Sequence, residues 1–159
     1  PASVVGKLAH RAVQLWRVAP PDLDWLRAEA QTLGLVEPRQ IDDAMNRARR
    51  ILIRFAAHPL YAEMNSAVQR LHEVPYAWLR DGKPVSGIID CLYRPADAWK
   101  IVDFKTDQLR DRAAMLDRIT ARGYDRQIST YAAAAEAFLG ERPAAALCFL
   151  DVGGAVEVF

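Results

Sequence analysis

Lysine is scarce in this sequence. Of its 21 basic residues only four are Lys and 17 are Arg. Arginine suits bidentate contact with phosphate, but a GC-rich genome gives the same bias, and the bias alone assigns nothing. The scarcity does make Lys105 stand out. Cysteine is nearly absent: Cys91 and Cys148 are the two present, and neither lies in a CxxC pair. A zinc site or an iron–sulfur cluster is therefore unsupported. Both cysteines sit in apolar, strand-like runs and read as reduced core residues of a cytoplasmic protein. Excess charge is missing too. The net charge of +1 does not announce a nucleic-acid binder. There is no apolar run long enough to cross a membrane. His10 and Arg11 fall where a secretory signal would need apolar residues. No GxxxxGK[ST] occurs, so this stretch has no nucleotide-driven motor of its own.

What is present suits one globular domain with a real core: 159 residues, 52% hydrophobic and 26% charged. Helical spacing of Val5, Leu8, Ala12, Leu15 and Trp16 predicts an amphipathic helix over 3–18, ended by Pro20 and Pro21. A second short helix is expected over 22–33. A third opens at Pro38, with an apolar stripe from Ile41 to Phe55 and a cationic face of Arg47, Arg49, Arg50 and Arg54. Such a face is ordinarily just solvated, but it can also track a phosphate backbone. Residues 60–71 read as a short irregular or helical link.

Strands then follow. Residues 73–80 and 85–93 flank Asp81-Gly82, a strong hairpin signal. Another turn at 95–97 leads to a strand over 99–106, giving an antiparallel meander. Helices are expected over 109–121 and 124–139, broken by Gly123. A buried strand over 144–151 and a last strand over 155–159 complete the chain. A strand that returns from a helix runs parallel to some neighbour, so the sheet should be mixed. The layout is thus a helical region over 1–72 and a sheet with the catalytic core over 73–159.

The chemistry concentrates in Val85 to Asp107. Asp103 and Lys105 are two apart on a strand and so project from one face. Pairing with the preceding strand can bring Asp90 alongside. An aspartate in the middle of each apolar strand is costly unless it is paired or bound to metal. Two carboxylates and an ammonium at one sheet edge can hold a hard divalent cation and activate water beside it. Glu73 can add a carboxylate or be a plain exposed strand end. His10 stacks one turn after Gly6, which leaves room for close backbone approach. Taken alone, such a histidine is more often an ordinary hydrogen-bonded one. Tyr124, Gln127 and Tyr131 share a helix face.

The order Gly6-x-x-x-His10, Glu73, Gly87-Ile88-Ile89-Asp90, Asp103-Phe104-Lys105-Thr106, then Tyr124-x-x-Gln127-x-x-x-Tyr131 resembles the RecB-type nuclease domain of the PD-(D/E)xK superfamily. That domain stands at the C-terminus of RecB and AddA helicase–nucleases, and HPLYAEM (residues 58–64) is similar to the AddA-like subgroup. The resemblance covers nearly the whole chain. It implies an α/β fold with a restriction-endonuclease-like core, a central mixed sheet flanked by helices, and an N-terminal helical region. It implies that His10, Asp90, Asp103 and the Phe104 carbonyl bind Mg²⁺ or Mn²⁺, with Lys105 as the catalytic lysine. Glu73 would support the metal, while Gln127 and Tyr131 would position DNA or the lysine. It further implies single-stranded DNA as substrate and a helicase motor, in cis or on a separate subunit in trans. Members of a sister subgroup carry four cysteines for an iron–sulfur cluster, a form that two cysteines exclude. The expected identity is a single nuclease domain over 1–159, excised from a larger helicase–nuclease that acts in recombination and double-strand-break repair. The alternative is a catalytically inactive DNA-binding or scaffold module, which the intact set of Asp90, Asp103 and Lys105 disfavours.

Overall fold

A computed structural model describes residues 3–159. Eleven elements follow in order among these residues: α1 (Val4–Gln14), α2 (Leu23–Thr32), α3 (Pro38–Ala56), α4 (Pro59–Asn65), β1 (Gln69–Arg80), β2 (Lys83–Arg94), β3 (Lys100–Lys105), α5 (Arg112–Arg122), α6 (Tyr124–Leu139), β4 (Ala144–Val152) and β5 (Ala155–Val158). The five strands form one sheet in the order β1-β2-β3-β4-β5. All neighbours are antiparallel except β3 and β4, which are parallel and joined through α5 and α6. The mixed sheet expected from the sequence is therefore the observed one. No helix is long and apolar enough to cross a membrane among the described residues.

Each face of the sheet carries its own core. One holds Leu8, Leu26, Leu52 and Phe55 of the N-terminal helices against Cys91, Tyr93, Val102, Phe104 and Cys148. The other packs Met115, Ile119, Ile128 and Tyr131 of α5 and α6 against Ile89, Leu92, Ile101, Leu147 and Phe149. Strand alternation explains this division on β3, where Val102 and Phe104 face one core and Ile101 the other. Both cysteines are free and buried. Burial pushes the Cys91 thiol up to about 12, so it is inert at neutral pH.

Several boundaries differ from the sequence reading. The first helix stops at Gln14 and not at residue 18. Trp16 leaves it with a φ of 54°, stacks on Tyr61 at 5.2 Å and is covered by the Arg70 guanidinium at 4.2 Å. Its indole N–H donates to Asn65 Oδ1 at 2.9 Å. Those contacts outweigh another turn of helix, so the prolines are not what ends it. The 60–71 link is helix α4 followed directly by β1, which begins four residues earlier than expected. Residues 109–111 are not helical either. Leu109 bridges to Val152, and Asp111 caps α5 by accepting from the Ala114 amide at 2.8 Å.

Candidate active site

The site is built where β2 parts from β3. The ladder between them pairs Cys91–Tyr93 with Lys100–Val102 and goes no further. The next register position would set Asp90 opposite Asp103. There the Asp90 side chain takes over from the ladder, and its Oδ2 accepts from the Phe104 amide at 2.9 Å. A charged acceptor on a backbone donor is a strong bond and fixes Asp90 against the end of β3.

The β1–β2 pair is kinked at the same level. Glu73 has a φ of 52°, in the left-handed region that costs a non-glycine residue about 1 kcal/mol or more. His72↔Cys91 and Val74↔Ile89 are partners on either side, which sets Glu73 level with Asp90. The faces of both strands switch across this point. His72 packs on Trp16 and Cys91 lies in the first core, whereas Val74 and Ile89 belong to the second. Glu73, Asp90 and Asp103 are thus a row of carboxylates across three adjacent strands.

Helix α1 supplies the histidine. His10 Nε2 stands 3.4 Å from Asp90 Oδ2. The helix comes this close because of Gly6, where a Cβ would meet Thr106 Oγ1 at 2.9 Å. The hydrogen bond to Asp90 is the main cause that holds the His10 pKa above its ordinary value, against burial, which lowers it. The charges of Asp90, Glu73 and Asp103 add to the rise.

Asp103 is the one buried charged residue of the described chain, 2% exposed. Lys105 Nζ lies 2.7 Å from its Oδ2. The contact is a close, charge-assisted ion pair, and it is the one polar partner of Oδ2 among the described residues. Burial, and then the like charge of Asp90, push the Asp103 carboxyl up to about 6 against the pull of Lys105. Lys105 is held from two further sides. Its ammonium donates to Gln127 Oε1 at 2.8 Å and sits 4.0 Å above the Tyr124 ring. Tyr131 packs edge-to-face on Tyr76 at 5.8 Å. Burial and the charges of Asp103 and Asp90 raise its phenol pKa, so it stays a neutral donor beside the carboxylates.

The structure therefore brings His10, Glu73, Asp90, Asp103, Lys105, Gln127 and Tyr131 to one end of β3. Phe104 contributes its backbone there, while its ring lies in the first core, 5.4 Å from Phe55. Three partners went unassigned in the sequence. Tyr124 lies under Lys105. Asp107 accepts from the Tyr124 hydroxyl at 3.2 Å and from Arg118 at 2.8 Å. Tyr124 was findable, since it shares a helix face with Gln127. Asp107 and Arg118 carry no pattern that links them.

The donor chemistry fits a hard divalent cation. Glu73 Oε1 is buried without a hydrogen-bond partner, Asp103 Oδ2 meets only the Lys105 ammonium, and oxygen donors are what Mg²⁺ and Mn²⁺ prefer. Among the described residues, no three His, Cys, Asp or Glu side chains are already gathered to hold an ion. Lys105 and the Phe104 amide instead engage the two aspartates.

This arrangement has a pH signature. A carboxyl raised to about 6 in the fold holds a proton that the unfolded chain has lost above about pH 4. Its stabilising share is full below pH 4 and is lost as pH rises through 6. Asp103→Asn should therefore gain on metal-free wild type between pH 4 and pH 7, by up to about 3 kcal/mol. Urea denaturation of both proteins in chelator, across that range, reads the gap. A gap that stays constant with pH contradicts the assigned environment.

Comparison with known proteins places this geometry in context. The model of the PD-(D/E)XK nuclease superfamily matches residues 1–157. Three relatives each bear the name of an ATP-dependent helicase/nuclease subunit. That of Desulforudis audaxviator is 38% identical over 76 residues, covering 46% of this chain and 6% of the relative. That of Staphylococcus carnosus is 26% identical over 170 aligned positions, covering 96% and 14%. That of Heliobacterium modesticaldum is 30% identical over 104 residues, covering 55% and 7%. The chain thus spans a small fraction of the length of the relatives it matches. Carboxylates and a lysine meet at the end of a central strand of a mixed sheet, and the family match runs almost from end to end. On these grounds the chain belongs to the PD-(D/E)XK nuclease superfamily.

Proposed function

We propose that this domain is a Mg²⁺- or Mn²⁺-dependent deoxyribonuclease that hydrolyses phosphodiester bonds of single-stranded DNA. The observation that carries the reading is the convergence of Asp90, Asp103 and Lys105 at one buried point, with His10 reaching in from α1. Asp90, Asp103, His10 and the Phe104 carbonyl are the groups that would hold the metal, with Glu73 in support. A bound divalent ion would neutralise phosphate charge and lower the pKa of water.

The chain's own residues supply the rest. Lys105 is held from three sides, so its ammonium is aimed before substrate arrives and can orient water or stabilise the charge of the transition state. Gln127 fixes one side of that ammonium. Tyr131 keeps its proton and can donate to a phosphate oxygen. Glu73 occupies a strained backbone position, the kind that clusters at working sites.

The names of the relatives support a wider setting. We read the chain as the nuclease domain of a helicase–nuclease, with the motor in cis or on a separate subunit in trans, serving recombination and double-strand-break repair. A motor that unwinds duplex delivers single strands to the site. The scaffold alternative finds no support in the side chains, because an inactive module has no need of an aligned lysine beside a buried and a half-buried carboxylate.

The test is cleavage of end-labelled oligonucleotides. The isolated domain is expected to cut a single strand with Mg²⁺ or Mn²⁺ and not in chelator, and to cut the matched duplex more slowly. Metal-independent cleavage, or equal rates on duplex, would remove the metal or the strand assignment respectively.

A further inference from the structure

Next to Lys105 the chain opens a second, more polar space. Thr106, Asp107 and Gln108 follow the lysine directly. With Ser3, Arg118, Arg122 and Tyr124 they enclose a cavity of about 630 Å³. Tyr124 is a wall shared by both spaces, because Lys105 lies over its ring at 4.0 Å. Two guanidiniums face one carboxylate here. Asp107 is matched by Arg118 at 2.8 Å, while Arg122 is exposed and has no ion pair or side-chain hydrogen bond among the described residues. The cavity is left with an uncompensated positive charge beside hydroxyl and amide groups. That is the chemistry of a phosphate seat.

Resting on the nuclease reading above, we infer that this cavity seats a phosphate of the bound DNA strand neighbouring the scissile one, with Arg118 and Arg122 as its ligands and Tyr124 as the wall it shares with Lys105. The placement favours α5 over the cationic face of α3 as the surface that holds DNA. On α3, Arg47 pairs with Asp43 and Arg54 with Asp151, and neither lines this cavity. On α5, Arg118 and Arg122 are one turn apart and so present their side chains together. Asp107 has a defined part: it holds Arg118 and the Tyr124 hydroxyl in place. An arriving phosphate finds the donors already oriented, which lowers the entropic cost of binding.

The test is binding of a fluorescein-labelled mixed-sequence single strand and of oligo(dT), by anisotropy, in chelator and across a series of NaCl concentrations. Arg122 has no side-chain partner among the described residues, so Arg122→Ala should fold normally. It is expected to weaken both oligonucleotides several-fold at low salt and to lower the salt slope by roughly 0.7, the share of one single-strand phosphate. Arg122→Lys keeps the charge and should restore the slope. Arg49→Ala, on the exposed face of α3, should match wild type. Wild-type slope and affinity in Arg122→Ala, or an equal loss in Arg49→Ala, would overturn the subsite. If wild type still cuts single strands in that event, the nuclease reading stands without it. A wild-type domain that neither binds nor cuts a single strand overturns both.

Discussion

Lys105→Ala is expected to lower the rate of single-strand cleavage by about a thousandfold or more while DNA binding falls only several-fold. The expectation rests on how the side chain is held. Its ammonium meets Asp103 Oδ2 at 2.7 Å, Gln127 Oε1 at 2.8 Å and the Tyr124 ring at 4.0 Å. A group so constrained cannot sweep the surface as an ordinary lysine does, and it loses little freedom when the reaction begins. Removing one preorganised stabilising group from a site of this type costs roughly 10²–10³ in rate. Lys105 would also aim the water, so its loss should fall at the upper end or beyond. A charge that merely attracted DNA would behave differently, with its loss shared between affinity and rate. Single-turnover rates alongside anisotropy separate the two. Asp103→Ala should be at least as damaging. Comparable rates in wild type and Lys105→Ala would remove the lysine from the chemistry.

Phe55→Ala should cost the domain about 3–5 kcal/mol, the usual range for deleting a buried aromatic ring. Phe55 is fully buried and lies at the meeting point of three rings. It packs edge-to-face on Phe104 at 5.4 Å, on Tyr61 at 5.6 Å and on Trp16 at 6.1 Å. Each such contact adds to the area it buries. A ring on α3 thus anchors α4, the turn after α1 and the strand that carries Lys105 at once. Since domains of this size are stable by about 5–15 kcal/mol, one substitution removes a large part of the total. Urea denaturation measures it. A loss under about 1 kcal/mol would show that the helices and the sheet are not held together through this cluster.

Much of the fold could be read from residue order. Asp81-Gly82 turns the hairpin, β-branched runs make the central strands, and Pro38 opens α3 as the sequence suggested. Asp103 and Lys105 share a face because alternation on β3 is regular. Gly6 could be read as a close-approach position, and Thr106 is the group it approaches. The rest was not legible for physical reasons. Alternation assumes an unbroken strand, and both β1 and β2 switch faces at Glu73 and Asp90. That switch depends on a left-handed Glu73, which no local pattern announces. The end of α1 is set by Trp16 meeting Tyr61 and Arg70, partners 45 and 54 positions away. The contacts of Asp107 with Arg118 and Tyr124 link a loop to two helices, and spacing along the chain encodes none of them.

Asp103 and its neighbours are proposed to form a metal-dependent DNA-cutting centre. Side-by-side cleavage of one labelled single strand by wild type and Asp103→Ala, in Mg²⁺ and again in Mn²⁺, tests it most directly. Wild type should cut in at least one metal and the variant in neither. Equal cutting by the two proteins, or none by wild type in either metal, would contradict the claim.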